Sequence, residues 1–199
     1  MLLALDLAFS NIGWTVWHGR QPFSCGLIST EKTHQKNILV RDDDSRRCCE
    51  VMRKLSAIIE AHGCEGIIGE LPSGSQMARA AKMEGMIVCA ANAISVFHDL
   101  PTEWCGEHDV KMAAGGKRNA TKMEIMDNVI AMFGGKKDVG PVRTIKITKG
   151  KRKGKVVESQ RVDYTFLGQK WAKGNFEHIA DSAGAWMALR DRNLVKMFG

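Results

Sequence analysis

Residues 2–18 read LLALDLAFSNIGWTVWH, and this stretch decides the fold. Residues 2–6 predict a short buried strand that ends in the acid Asp6. Residues 12–18 predict a second strand, and residues 23–29 (FSCGLIS) a third. The intervening GRQP turn indicates that the second and third strands form an antiparallel hairpin. A carboxylate therefore ends the first strand inside an otherwise apolar run.

Helical and strand patterns alternate over the rest of the chain, which predicts an α/β fold. Residues 66–70 (GIIGE) predict a fourth strand that ends in Glu70, and Pro72 ends it. A helix capped by Ser73 or Ser75 is predicted to follow. The predicted helices are 42–62, 73 or 75 to 97, 121–133 and 175–194, and residues 102–105 predict a fifth strand.

The composition limits the class of protein. A chain of 199 residues, 44% of them hydrophobic, can bury one core, so a single domain over residues 1–199 is expected. The opening MLLALDLAF lacks the basic start of a signal peptide and contains Asp6, and no membrane-spanning segment is predicted. The six cysteines form no CxxC pair or zinc motif, which favours reduced core cysteines in a cytoplasmic protein. The compact size and an unusual insertion at residues 136–174 suit a protein of a bacterial cell that is encoded by a bacteriophage or another mobile element.

Residues 136–161 carry the positive charge of the chain. The segment holds ten Lys or Arg against two acids, a net charge of +8, whereas the whole chain carries +7. Two β-like alternations flank the turn KGKRKG, so an inserted basic hairpin arm over residues 136–174 is predicted. Such an arm binds polyanions by neutralising phosphates, although a solvated charged loop is the simpler alternative. Three aromatic residues nearby could stack on bases, but their β spacing favours packing on the core: Tyr164, Phe166 and Trp171.

Asp6 and Glu70 are candidate metal ligands. A carboxylate that ends an apolar strand is desolvated, so it needs a metal, a cation or hydrogen-bond donors. If their strands are neighbours, the two acids project at the same end of the sheet. Mg²⁺ prefers such oxygen ligands and keeps several waters, so few protein carboxylates suffice. The alternative for each is an acid held in a salt bridge.

The predicted closing helix adds a third acid. In EHIADSAGAWMA, residues 177–188, small residues flank Asp181, which predicts close approach to a sheet. His178 and Glu177 both lie one turn before Asp181. Helical geometry does not choose between them as the next functional group, and an amphipathic helix with a solvated acidic edge is the alternative.

Together these motifs resemble the RuvC-like Holliday-junction resolvases of the RNase H-like superfamily. ALDLAFSNIGWTVW is similar to the family's Asp-x-x-x-Ser-x-x-Gly-aromatic opening, with Asp6, Ser10, Gly13 and Trp14 at the named positions. IIGELPSG is similar to the strand that ends in the family's second acid, Glu70.

The second half of the chain extends the resemblance. HDVKMAAGGKRNATKMEI is similar to the family's Val-Lys…Gly…Ala-x-Lys stretch and places Lys111 and Lys122 at two functional lysines. HIADSAGAW is similar to the closing Asp/His-x-x-Asp motif and places His178 and Asp181. The four motifs occur in the family's order.

The resemblance implies a fold, an assembly and an activity. The fold is a five-stranded mixed sheet with helices on both faces, acting as a homodimer on branched DNA. The activity is that of a crossover junction endodeoxyribonuclease, a phosphodiester hydrolase that makes paired symmetric nicks in four-way junctions and leaves 5′-phosphates.

The resemblance also implies a site. Two Mg²⁺ ions, which Mn²⁺ would replace, are expected on Asp6, Glu70 and Asp181. His178 is either a further ligand, suited to Mn²⁺, or a group that positions water or moves protons. Lys111 and Lys122 are expected to contact phosphate or stabilise the transition state. The expected DNA-contacting cations are Lys117, Arg118, Lys146, Lys149, Lys151, Arg152, Lys153 and Lys155.

Two departures leave other functions open. Ser73 stands where the family often has an aromatic residue that wedges into the junction, and the basic arm exceeds the family's usual connection. A broader nuclease for flaps, forks or RNA–DNA hybrids is therefore the main alternative. A non-catalytic branched-DNA binder is less favoured, because three desolvated carboxylates without a metal would be costly. A nucleotide-binding ATPase-like domain would need more Gly-rich phosphate loops than GGKRN alone.

Overall fold

A computed structural model describes residues 1–146 and 154–198. The main sheet has five strands: β1 (Leu2–Asp6), β2 (Asn11–His18), β3 (Gln21–Ser29), β4 (Gly66–Glu70) and β5 (Thr102–Cys105). Their spatial order is β3-β2-β1-β4-β5. β1 pairs antiparallel with β2 and parallel with β4, and β4 pairs parallel with β5. The predicted five-stranded mixed sheet is confirmed.

Two core clusters cover the two faces of the sheet, because successive side chains of a strand point to opposite faces. Leu3 and Leu5 of β1 pack with Val51 and Leu55 of α1 (Val40–His62) and with α2 (Ala78–Phe97). Leu2 and Ala4 pack on the other face. There they meet α3 (Glu107–Gly115), α4 (Lys122–Phe133) and α5 (Lys173–Leu189). Helices therefore cover both faces, as predicted.

Several predicted helix bounds were wrong. α2 begins at Ala78 and is not capped by Ser73 or Ser75, because the backbone is still extended at Met77, with φ −87° and ψ 119°. The helix α3 was not predicted. The closing helix ends at Leu189 and a short α6 (Asn193–Phe198) follows, since the charged residues 190–192 form a turn.

A second sheet carries the predicted arm. It is antiparallel, in the order β6 (Lys136–Lys146), β7 (Val156–Phe166) and β8 (Gln169–Ala172). The third strand, β8, was not predicted, because its four residues are too short to show a period. The predicted turn residues 147–153 lie outside the described part of the chain.

Aromatic residues anchor this second sheet to the core. Tyr164 and Phe166 are fully buried and pack on Phe176 of α5 with ring centroids 4.6 and 5.7 Å apart. The Tyr164 hydroxyl donates to Asp127 Oδ1 at 3.0 Å, and Trp171 packs against the same cluster. The prediction that these aromatics pack on the core is confirmed.

All six cysteines are free, as predicted. Cys25, Cys64 and Cys105 are buried, whereas Cys49 and Cys89 are exposed on α1 and α2, so only part of the set belongs to the core.

Candidate active site

The ends of β1 and β4 bring two acids side by side. The strands are parallel and in register, so that Asp6 pairs directly with Glu70. Both residues are the last of their strands, so both carboxylates leave the sheet at the same edge. The structure thus makes neighbours of the two acids, as the strand pattern predicted.

Helix α5 reaches the same edge because β2 has a glycine where the helix crosses it. Gly13 pairs with Asp6 across β1 and β2. A Cβ built on Gly13 would lie 1.9 Å from the backbone carbonyl oxygen of His178, so only glycine fits there. His178 Nδ1 consequently lies 2.8 Å from Asp6 Oδ2.

The close approach of α5 to the sheet depends on Gly13 and not on the small residues beside Asp181. A Cβ on Gly184 would meet Val110 of α3 at 2.7 Å, so this glycine seats α3 against α5. The predicted close approach to a sheet is correct, but its cause lies on β2.

The six predicted catalytic residues line one cavity of about 220 Å³. They are Asp6, Glu70, Lys111, Lys122, His178 and Asp181. A further acid, Glu107, lies in the same lining. In residues 1–146 and 154–198, no three His, Cys, Asp or Glu side chains are close enough together to enclose an ion. The acids surround a shared space and do not form a closed cage.

Each lysine of the cavity is held by a glutamate. Lys111 Nζ lies 2.5 Å from Glu107 Oε1 within the first turns of α3. Lys122 pairs with Glu177 of α5. Thr121 caps α4 by accepting from the Glu124 backbone N–H, which fixes Lys122 as the first residue of that helix. Both ammonium groups therefore sit at the rim of an acidic space.

Burial and mutual repulsion raise the pKa of two carboxyl groups in the cavity, those of Glu70 and Asp181. Burial, with the charges of Asp6, Asp181 and Glu107, raises the pKa of Glu70 to about 8. Burial and the charge of Asp6 raise the pKa of Asp181 to about 7. The hydrogen bond to Asp6 raises the pKa of His178 against the opposing effect of burial. Burial and the neighbouring carboxylates thus oppose the ionisation of Glu70 and Asp181 in this cavity.

This arrangement fits a divalent cation with hard oxygen ligands. Asp6, Glu70 and Asp181 supply carboxylate oxygens from three elements, which is the chemistry that Mg²⁺ prefers. A cation among them would offset the repulsion that, after burial, contributes to the raised pKa of Glu70 and Asp181.

Comparisons with known proteins bear on the fold. No protein-family model matches the chain, and no curated protein matches it in sequence. A structure of Thermus thermophilus RuvC in complex with Holliday junction substrate is similar, with a TM-score of 0.59 and 13% sequence identity. The match covers 94% of this chain and 90% of that one. The chain has a RuvC-like fold. A second structure of Thermus thermophilus RuvC gives a TM-score of 0.56, again at 13% identity, over 94% of this chain and 91% of that one.

The structure distinguishes the side-chain positions of His178 and Glu177. His178 lines the cavity, whereas the Glu177 carboxylate faces Lys122. Glu107 is the lining residue that the sequence analysis missed. The signal was available, because Glu107 lies two residues after β5, at the sheet edge that carries Glu70.

The predicted DNA-contacting cations fall into two groups. Lys117 and Arg118 lie between α3 and α4, where Lys117 pairs with Glu124 and Arg118 Nε donates to His108 Nε2 at 3.3 Å. Lys146 and Lys155 are exposed on the second sheet. The remaining four lie outside the described residues: Lys149, Lys151, Arg152 and Lys153.

The cations near the base of the second sheet are paired with acids. Lys137 Nζ lies 2.6 Å from Asp127, and Arg161 Nε lies 3.0 Å from Asp163. Arg143, Lys146 and Lys155 are exposed farther from the core. The excess positive charge is thus greatest toward the outer end of the sheet.

Proposed function

We propose that this protein is a metal-dependent endonuclease that resolves four-way DNA junctions by paired symmetric nicks leaving 5′-phosphates. The observation that carries the proposal is the cavity at the ends of β1 and β4, where four carboxylates, Glu107 among them, meet two lysines. The RuvC-like fold and the basic second sheet support a nucleic-acid substrate.

Asp6, Glu70 and Asp181 would hold Mg²⁺, with two ions as the expected number and Mn²⁺ as a substitute. When bound, the metal supplies Lewis-acid stabilisation of phosphate charge and lowers the pKa of water. Glu70 and Asp181 must lose their protons before they can serve as ligands, since metal binding requires the carboxylate form.

His178 and Lys122 would contribute to cleavage through roles that do not require them to bind a metal. The His178 Nδ1 contact to Asp6 orients that carboxylate and leaves Nε2 as the ring nitrogen for proton exchange. Lys122, fixed at the start of α4, presents its ammonium to the cavity, where a negative phosphate would develop further charge during cleavage. Lys111, which lines the same cavity, is expected to neutralise phosphate.

A homodimer suits this function, because a two-fold axis would give one active site to each of two strands in a near-symmetric junction. Helix α2 is the element proposed for the contact. Its surface exposes small residues at Ala81, Gly85 and Ala93, and large apolar ones at Val96 and Phe97. Ala90 and Ala91 of the same helix are buried within the chain, so they are not part of this surface.

Of the described residues, only α2 has the length and composition of a membrane-crossing helix. Length and composition of this kind also occur in the core helices of soluble proteins, so one such helix is weak evidence for a membrane span. Its Lys82 lies 3.3 Å from the buried Asp44 of α1, which ties α2 to the helical layer on the sheet.

The experiment that tests the proposal is cleavage of a labelled synthetic four-way junction in Mg²⁺ or Mn²⁺. Linear duplex, a flap and an RNA–DNA hybrid of the same sequence are the matched substrates, and Asp6→Asn is the variant control. Nicks on the junction alone, lost in Asp6→Asn, support the resolvase. Cutting of flaps or hybrids at similar rates supports a broader structure-selective nuclease, which the absence of an aromatic residue at Ser73 favours. Tight junction binding without cleavage in either metal supports a non-catalytic binder.

A further inference from the structure

A second cavity opens directly beside the acidic one. It has a volume of about 380 Å³ and lies between residues 7–11, which follow β1, and the first turns of α2. Ala8 and His178 line both cavities, so the two spaces share a wall. Whatever occupies the second cavity would adjoin a phosphate held at the carboxylates.

The walls of this second cavity are mainly apolar. Leu7, Phe9, Ala80 and Met83 line it together with Pro72. Its volume lies within the range of about 300–1,000 Å³ that is usual for small-molecule sites. An apolar space of this size beside a charged one favours a ligand that has a flat apolar part joined to an anionic part.

One wall is held rigidly by a buried arginine. The Arg47 guanidinium lies 4.5 Å from the centroid of the Phe9 ring, and Arg47 is only 1% exposed. Arg47 also donates to Ser10 Oγ at 2.9 Å and to Thr30 Oγ1 at 3.0 Å. The aromatic ring and the polar residue after it are therefore fixed before any ligand binds, which reduces the entropy lost on binding.

Polar groups at the edge of the cavity can form hydrogen bonds to a ligand and thereby discriminate between ligands. The Ser10 oxygen accepts from Arg47, so its own O–H is the group left to donate. Asn11 Oδ1 accepts from Ser29 Oγ at 2.9 Å, so a ligand would meet its NH₂ group. Glu84 Oε2 accepts from the Ser75 backbone N–H at 2.8 Å and offers further acceptor capacity. A nucleobase has the same combination, with apolar faces and an edge of donors and acceptors.

We propose that this cavity, the base pocket, holds one unstacked base of the nucleotide next to the phosphate bound at the acidic site. The inference rests on the proposed nuclease function and adds a subsite to it. Phe9 and Met83 would contact the base faces, and the Ser10, Asn11 and Glu84 groups would contact its edge. Enzymes that act on nucleic acid use such pockets for bases removed from the stack, and aromatic contacts are tolerant of base identity.

The test uses four-way junctions that carry a single abasic site at each position flanking the cleaved phosphate. The readouts are junction affinity in Ca²⁺ and the single-turnover cleavage rate in Mg²⁺. At one flanking position, removal of the base is expected to weaken binding or cleavage about tenfold, as loss of one base-stacking contact does. 2-Aminopurine at that position should change its fluorescence when the protein binds.

Two variants assign the effect to the base pocket. Ala80→Phe fills the pocket and Met83→Ala removes a wall, so both should cleave intact and abasic junctions at equal rates. Met132→Ala is the matched control, because Met132 is 53% exposed on α4 and lies outside the pocket. It should keep the tenfold difference, and thermal unfolding should show that every variant is folded.

The possible outcomes distinguish failure of the base-pocket proposal from failure of the proposed nuclease function. Cleavage that is indifferent to base removal at every flanking position overturns the base pocket and leaves the nuclease function standing. A tenfold loss that persists in both pocket variants also overturns it. Absence of cleavage on every junction overturns the proposed function and, with it, the inference that rests on it.

Discussion

Gly13 of β2 and His178 of α5 are in backbone contact, since a Cβ on Gly13 would lie 1.9 Å from the His178 carbonyl oxygen. The contact joins the strand beside Asp6 to the helix that carries Asp181. The sheet edge and the closing helix can form one site only because position 13 has no side chain.

Gly13→Ala is therefore expected to destabilise the fold and remove activity. Both atoms in the clash belong to backbone, so α5 must move away from β2, and a loss of about 3 kcal/mol or more in the free energy of unfolding is expected. Urea unfolding measures it. Gly174→Ala is the control in the same helix, because a Cβ there meets nothing within 4 Å. Equal stability of the two variants would contradict the claim that α5 packs against β2 through the missing side chain at position 13.

The raised acid pKa values predict an unusual dependence of stability on pH. The native Glu70 and Asp181 keep their protons until about pH 8 and about pH 7, whereas the unfolded chain loses them near its ordinary values of 4.5 and 3.8. Between these limits the native state binds more protons than the unfolded state. The free energy of unfolding of the metal-free protein should therefore fall as pH rises from about 5 to 8.

Thermal unfolding in EDTA across this pH range measures the effect. Glu70→Gln should flatten the decline, whereas Glu31→Gln, an exposed acid outside the cavity, should leave it unchanged. Added Mg²⁺ should raise the melting temperature more at pH 8 than at pH 6, because the carboxylate form binds the metal. A wild-type melting temperature that rises over this range in EDTA would contradict the electrostatics of the cavity.

Lys122→Ala is expected to lower the cleavage rate more than the junction affinity. The Lys122 ammonium faces the cavity, so its charge should matter most when the phosphate gains charge in the transition state; a loss of about 100-fold in rate is expected. Single-turnover rates and Kd values in Ca²⁺ separate the two effects, with the exposed Lys196→Ala as control. Equal losses in rate and affinity would make Lys122 a binding residue only.

The basic second sheet predicts a change in salt dependence. Neutralising Lys146, Lys155 and two of the cations between them should reduce the slope of log Kd against log salt by about 0.9 for each lost phosphate contact. Titrations of a junction at several salt concentrations measure the slope. Neutralising Arg20, Arg190, Arg192 and Lys196 removes the same charge elsewhere and should change the slope less. An unchanged slope in the first variant would exclude direct contacts by the arm.

The sequence predicted those parts of the site that depend on regular patterns. Asp6 and Glu70 each end an apolar strand, so their meeting followed once the strands were taken as neighbours. Asp181 followed from the small residues around it, although the glycine that matters is Gly13, a contact between distant segments that no local pattern shows. The choice of His178 over Glu177 likewise needed the position of Lys122, which comes from a different helix.

The missed elements are short or irregular. The nine residues of α3 give only two buried positions, Val110 and Ala114, too few to show a helical period. α2 starts only after Met77, whose extended backbone no local pattern predicts, and β8 has four residues. Glu107 was missed together with its helix, although its position two residues after β5 was a usable signal.

The most direct test of the central claim uses a supercoiled plasmid that extrudes a cruciform, incubated with the protein and Mg²⁺. Paired symmetric nicks across the four-way junction convert the plasmid to a linear form with hairpin ends, each carrying a nick with a 5′-phosphate that ligase can seal, and Asp6→Asn should leave it supercoiled. This linear product is the predicted result. Nicked circles without linear product, or equal cutting of a plasmid that lacks the cruciform, would contradict the account.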